Sequence, residues 1–277
     1  MGRALKKSAF YVGLSLVAAF FLFPVFVILQ NSFKNRFMIM SSPFKLPDSE
    51  SFTGLTNYFN GIKASGFFSA AGVSLFVTVL SVCAIILFSS MTAWYIVRHK
   101  NVFTKALYLA FVFSMIVPFQ MVMYTLTYMA VRLNFTNPLG IIVIYMGFGA
   151  GLSVFMFTGF IKGIPKDIEE AAKIDGCNML ETFFKVVFPI LKPTTVTVAI
   201  LNAMWIWNDY LLPYLILGAK YKTIPVAVQL TMQGAYGSVD WGGFMAMLTL
   251  SIIPIIVLYI FAQKYIIEGV LSGAVKG

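Results

Sequence analysis

Glu169, Glu170, Ala171, Ala172, Asp175 and Gly176 bring acidic and small side chains together inside a chain that is otherwise oily. Carboxylates beside alanines do not make a reaction centre, but they make a good docking surface. Small side chains let a second backbone approach closely, and a carboxylate at the rim can take a bidentate bond from a partner's arginine. Five of the ten acidic residues lie between 162 and 193. A second polar group, Trp205, Asn208, Asp209 and Tyr210, offers the aromatic faces and hydrogen-bonding groups that recognise sugars. A carboxylate at membrane depth also points to function, although Asp209, followed by Pro213, could equally mark a helix bend. The materials of catalysis are otherwise missing. His99 is the only histidine and stands between Arg98 and Lys100, so neither a metal cluster nor a Ser-His-Asp arrangement can be assembled. There is no GxxxxGK[ST] run, so ATP cannot be held in P-loop fashion and hydrolysis must come from another chain.

The elements that must position these residues are membrane helices. Of 277 residues, 60% are hydrophobic and only 11% charged, against about a quarter charged in soluble proteins. Runs free of Asp, Glu, Lys and Arg cover 8–33, 64–97, 106–131, 133–161 and 241–263, and 193–219 is interrupted only by Asp209. Since roughly 20 apolar residues cross a bilayer, the expectation is an all-α integral membrane protein with six transmembrane helices: 8–30, 67–97, 106–131, 139–161, 194–217 and 243–263. The first run follows Arg3, Lys6 and Lys7 but lacks a small-residue cleavage site after "FFLFPVFVILQNSF", so it reads as a retained span. Residues 31–66 form an outer loop, 162–193 an inner segment and 264–277 a tail, all within a single transmembrane domain, 1–277. Cys83 and Cys177 give no disulfide framework.

A net charge of +10 would suggest nucleic acid in a soluble protein, but in a membrane protein it reports sidedness. If the N-terminus is cytoplasmic, the inner segments hold 13 Lys/Arg and the outer ones 7. Both termini and the acidic segment are therefore expected inside.

Within 162–193 two short helices are expected, the first opened by Pro165 and closed by Gly176. Lys166 with Glu170, and Glu169 with Lys173, stand one turn apart and could pair on the surface. Asn178 and Glu181 have capping-box spacing, and Met179, Phe183 and Val187 form an apolar stripe before Pro189. Pro118 is expected to kink the third span. Gly147 and Gly151 have the spacing of a close helix contact in the fourth.

Glu170-Ala171-Ala172, then Gly176 and "VVFPILKP", resembles the EAA loop of the membrane subunits of ABC importers. "WNDYLLPYLIL" and the tail "QKYIIEGVLSGAVKG" are similar to the second permease of maltose-type and multiple-sugar importers. The resemblance implies a type I importer permease fold in a bacterial cytoplasmic membrane. It also implies a homologous second permease, two ATPase subunits that bind ATP and Mg, an extracytoplasmic sugar-binding protein, and a carbohydrate, most naturally an oligosaccharide, as substrate. This chain would itself carry no cofactor and no catalytic residue. Carried over by position, Glu170 is the ion-pairing carboxylate, Ala171 and Ala172 the contact face, and Gly176 the turn. Asp175 would brace that turn, while Glu169 matches no fixed family position. Gly273, Lys276 and Gly277 would touch the ATPase pair. The rival reading, an ion-gradient-driven secondary transporter, normally needs more helices, inverted repeats and buried coupling carboxylates.

Overall fold

Long charge-free runs can satisfy their backbone polar groups in lipid only by coiling, and the computed structural model of the chain is helical almost throughout. It describes the backbone of residues 2–232 and 239–274 and the side chains of 6–232 and 239–264. Among these residues the only extended pairing is an isolated bridge between Lys34 and Phe52. In order, the helices are α1 (Gly2–Asn31), α2 (Arg36–Ser41), α3 (Thr56–Ser65), α4 (Phe67–Arg98), α5 (Val102–Ser114), α6 (Phe119–Arg132) and α7 (Pro138–Ile161). They continue with α8 (Asp167–Ile174), α9 (Met179–Glu181), a π-helical turn (Thr182–Val187), α10 (Phe188–Ile190), α11 (Lys192–Asn208), α12 (Leu211–Leu217), α13 (Ile224–Thr231) and α14 (Trp241–Ala274).

Four described helices are long and apolar enough to cross a membrane unaided: Lys6–Asn31 within α1, α4, α7, and Trp241–Lys264 within α14. Two more spans require bent pairs. One joins α5 and α6 at 105°, the other joins Met179–Ile190 and α11 at 77°. The expected third span, 106–131, is thus a break and not a kink. Pro118 sits in an extended conformation (φ −65°, ψ 139°) ahead of α6, so α5 stops at Ser114 and the chain restarts at Phe119. Helices of 13 and 14 residues reach about 20 Å each, short of a ~30 Å hydrocarbon core. The expected fifth span, 194–217, also divides, because Asp209 is extended (ψ 123°) between α11 and α12. The connections hold further helices. The outer loop 31–66 contains α2 and, around Tyr58 where the sequence suggests a short surface helix, α3; the segment 218–242 contains α13, and α14 runs on past 264 to Ala274.

The chain divides into two compact units. In the first, Met1–Ala70 with Ile224–Ile256, α13 packs on α3 and Ser65 Oγ meets Met247 Sδ at 3.6 Å. Lys34 is fully buried here. It donates to Asn31 Oδ1, the Ser42 carbonyl and the Lys45 carbonyl at 3.0, 2.8 and 2.7 Å, and burial pushes its ammonium below the usual lysine pKa. The Lys34 cage thereby ties the chain leaving α1 to the turn after α2.

The second unit comprises Ala71–Thr223 with Val257–Gly277. Its core gathers Ile85, Trp94, Tyr145, Val154, Phe157, Ile161, Phe183, Val187, Val198 and Leu212. Helix α7 is the hub, packing against both α5 and α11. The close approaches fall at Gly149 and Gly151, not at the expected pair Gly147 and Gly151. A methyl on Gly149 would stand 2.5 Å from Ile85 Cδ1, and one on Gly151 would stand 2.9 Å from the Phe111 carbonyl, whereas Gly147 has nothing within 4 Å.

Candidate functional site

The acidic segment folds as a short helix clasped to the end of a long one. Helix α4 closes with Arg98, whose Nη2 lies 2.6 Å from Glu169 Oε1 and whose Nε donates to the same oxygen at 2.8 Å. Trp94, one turn earlier, donates its indole Nε1–H to Glu169 Oε2 at 3.0 Å. Arg98 Nη2 also donates to the Ile164 carbonyl at 3.2 Å, fixing the entry to α8. The Arg98 and Glu169 side chains are only 12% and 7% exposed, so both carboxylate oxygens are engaged away from water. Trp94 in turn lies 5.4 Å from the Phe183 ring in the π-helical turn, and Phe183 is fully buried. The turn precedes Pro189, which lacks the N–H that the Lys185 carbonyl would accept in a regular helix.

This arrangement decides what α8 can offer to the outside. The surface pairs expected of Lys166–Glu170 and Glu169–Lys173 are replaced by the Arg98–Glu169 bond. Glu170 is exposed and makes no side-chain bond among the described residues. Ala171 faces outward, whereas Ala172 is 7% exposed and packs inward. Ile174, one turn after Glu170, is 86% exposed. Gly176 ends α8 at φ +86°. Its N–H donates to the Lys173 carbonyl and that of Cys177 to the Ala172 carbonyl, both at 3.0 Å, which is the Schellman closure that favours glycine. The side chain of Asp175 is exposed and takes no part, so backbone bonds supply the brace expected of it. The Asn178–Glu181 capping box forms as expected, but in the following stripe Phe183 and Val187 are buried while Met179 is 55% exposed. Pro165 stands two residues before Asp167, the first helical position of α8, and not at that position as expected.

The second polar group sits at the α11–α12 break. Asp209 Oδ2 accepts from the Tyr145 hydroxyl at 3.0 Å, and Oδ1 accepts from the Leu211 and Leu212 N–H groups at 3.0 and 3.4 Å. Asp209 therefore serves as a cap for α12, which favours the helix-bend reading. Asn208 turns back to donate to its own helix at the Met204 carbonyl, 2.6 Å away. Trp205 is 41% exposed and meets Tyr145 edge-on at 5.4 Å. Tyr210 stacks on Tyr214 at 5.4 Å. These four residues share the break, with ring faces and no free carboxylate. His99 stacks on Tyr95 at 4.4 Å and lines a pocket that Glu169 and Glu170 also line. Among the described residues no cluster of His, Cys, Asp and Glu could hold a metal. Gly273 lies near the end of α14, while Lys276 and Gly277 lie outside the described residues.

Sequence reasoning missed Arg98, Trp94 and Tyr145. Trp94 and Arg98 are four apart on one helix face, a signal that was available. Tyr145 is one of several hydroxyls in an apolar run and carries no local signal.

Four lipid-length helices among the described residues, with two bent pairs beside them, make this a multi-pass membrane protein. Residues 85–271 match the model of the binding-protein-dependent transport system inner membrane component family, and the chain belongs to that family. It is 37% identical over 259 residues to the probable starch degradation products transport system permease protein AmyC of Thermoanaerobacterium thermosulfurigenes, covering 91% of each chain. It is also 35% identical over 271 residues to the multiple sugar-binding transport system permease protein MsmG of Streptococcus mutans, covering 96% of each. The crystal structure of a bacterial ABC transporter that imports the acidic polysaccharide alginate contains a chain that matches with a TM-score of 0.79 at 22% identity, over 96% of this chain and 98% of that one. The fold is that of a type I importer permease.

Proposed function

We propose that this chain is one half of the membrane pathway of an ABC importer for an oligosaccharide, and that α8 is the element through which partner ATPase subunits drive it. A homologous permease completes the pathway, two ATPase subunits bind ATP and Mg, and an extracytoplasmic binding protein delivers the sugar. Both termini and α8 lie on the cytoplasmic side of a bacterial inner membrane, in keeping with the excess of Lys and Arg in those segments. The chain is non-catalytic, as permeases of this family are. Relatives that serve starch products and multiple sugars support an oligosaccharide over a monosaccharide. Trp205 and Tyr210 line the sugar path with ring faces, and Gly273, Lys276 and Gly277 contact the ATPase pair.

The observation that carries this reading is the division of labour between adjacent carboxylates. Glu169 is spent holding α8 to α4, while Glu170, with Ala171 and Ile174 beside it, faces outward without a partner among the described residues. A rigid strut with an unfilled docking face suits force transmission by rigid-body rocking. The ion-gradient alternative needs a free carboxylate at depth, and Asp209 is fully engaged.

Uptake of labelled oligosaccharide into vesicles bearing the full assembly tests it. Glu170→Arg reverses the docking charge, and Gly176→Pro demands φ near −65° where the backbone holds +86°. Each should abolish ATP-dependent uptake while membrane insertion stays normal. Unchanged uptake in both, or uptake by this chain without an ATPase, would overturn the reading.

A further inference from the structure

Where α4 ends, α5 begins and α7 ends, the second unit opens into a cavity of about 830 Å³. Five cations line it, Arg98, Lys100, Lys105, Lys162 and Lys166, and no carboxylate does. Arg98 is committed to Glu169, and Lys162 Nζ rests 5.5 Å from the centre of the Tyr108 ring. Lys100, Lys105 and Lys166 are exposed and have no ion-pair partner among the described residues. Three mutually repelling ammonium groups around one cavity call for an anion.

The rest of the cavity says which anion. Its walls include Ile96, Val97, Val102 and Ile164. Val102 is 86% exposed and the adjoining Phe103 is 64% exposed, in the first turn of a helix whose only charged residue is Lys105. Cations at the ends of lipid-length helices, with bare apolar side chains next to them, match a ligand that has a phosphate at one end and acyl chains at the other. An acidic protein segment would leave Val102 and Phe103 in water, and free phosphate would leave the apolar wall unused.

We propose that this cavity binds the phosphate headgroup of an anionic phospholipid, with Lys100, Lys105 and Lys166 around the phosphate and the acyl chains running along Val102 and Phe103. Basic pockets between membrane helices are suited to such headgroups. The lipid would come from the inner leaflet, a placement that rests on the orientation proposed above. Because Arg98 lines this cavity and also clasps α8, the lipid would brace the base of the coupling strut.

The test uses the full chain assembled with its partner subunits in nanodiscs of phosphatidylcholine doped with phosphatidylglycerol, released for native mass spectrometry. Phosphatidylglycerol should be retained in preference to phosphatidylcholine. Lys100→Gln, Lys105→Gln and Lys166→Gln should each lower that preference roughly fivefold, the arginine replacements should keep it, and added salt should weaken it. The glutamine variants should elute and melt as the parent does, and the arginine replacements provide a folded reference if one of them does not. Equal retention of the two lipids, or a preference indifferent to all three glutamine changes, would overturn the proposal. Displacement of phosphatidylglycerol by inorganic phosphate at matched ionic strength would make this a free-anion site and overturn the lipid assignment. Loss of a partner subunit with lipid retention intact would make it a protein contact and do the same.

Discussion

Arg98 and Glu169, 71 residues apart in sequence, meet through two nitrogens on one carboxylate oxygen, at 2.6 and 2.8 Å, with both side chains nearly out of water. A buried pair of this kind punishes the loss of one member more than the loss of both, because a lone charge is left without solvent. Removal of one partner typically costs about 3–5 kcal/mol, whereas an apolar replacement of both can be neutral. Glu169→Ala and Arg98→Met should each lower the melting temperature of the assembled complex and uncouple ATP hydrolysis from uptake. The double replacement Arg98→Met with Glu169→Met should recover much of the stability. Melting curves of the three variants check this, and a double variant as unstable as the sum of the singles would contradict it. If the clasp is a strut and not merely glue, the double variant regains stability without regaining coupled ATPase activity.

The Asp209 carboxylate separates capping from ion coupling. Asn at this position keeps an oxygen for the Leu211 and Leu212 N–H groups, whereas Ala keeps none. Loss of a cap costs about 1 kcal/mol, and Ala also strands the Tyr145 hydroxyl, which sits on a fully buried ring. Asp209→Asn should therefore retain most ATP-driven uptake, and Asp209→Ala should reduce it and destabilise the α11–α12 break. Uptake abolished by Asn would instead mark a residue whose charge is required.

The helices themselves were legible because charge-free length and end signals are local properties. The run before Arg98 became α4, Gly176 stopped α8, and Asn178 with Glu181 formed its capping box. The clasp is not legible, since nothing near Glu169 announces that its partner lies at Arg98, and Lys173, one turn on, offers a cheaper local answer. Burial overrode that answer. The Coulomb attraction within an ion pair is stronger away from solvent than on a surface, and the indole of Trp94 and the second Arg98 nitrogen offset the desolvation of the Glu169 carboxylate. Pro118 was read as a kink because proline alone cannot say whether the chain continues its direction. The extended backbone at that residue, and with it the break, depends on what α5 and α6 pack against.

Glycine positions in α7 make a graded prediction, since sequence spacing and structure choose different pairs. Gly147→Ala adds a methyl in open space and should be neutral or slightly stabilising, as alanine favours the helix. Gly151→Ala presses a methyl to 2.9 Å from the Phe111 carbonyl and 2.7 Å from Ser114 Oγ. The carbonyl is backbone and cannot turn aside, so overpacking of about 1–3 kcal/mol is expected. Gly149→Ala meets the flexible end of Ile85 at 2.5 Å and Asn202 Oδ1 at 2.7 Å, and should fall between the two. Thermal melting in one detergent ranks all three.

The turn after α2 carries a pH response whose direction follows from its hydrogen bonds. Asp48 accepts from Lys45 Nζ at 2.7 Å, from Ser51 Oγ at 2.7 Å and from the Ser51 N–H at 3.0 Å. The lysine bond is the largest of the effects that hold its carboxyl well below the ordinary carboxylate range, and the Ser51 bonds add to it. A carboxyl depressed in the folded state stabilises that state fully above its unfolded value, near 4, and loses the contribution as pH falls through the lower folded value. The turn should therefore keep its structure at pH 5 and loosen only in stronger acid. Hydrogen exchange at the Ser51 and Phe52 amides, both bonded to the Asp48 carbonyl, reads this directly. Protection of the parent over Asp48→Asn should be constant from neutral pH down to about the unfolded carboxylate value and shrink below it. Protection that fell away between pH 7 and 5 would mean that the carboxylate is not held by these bonds.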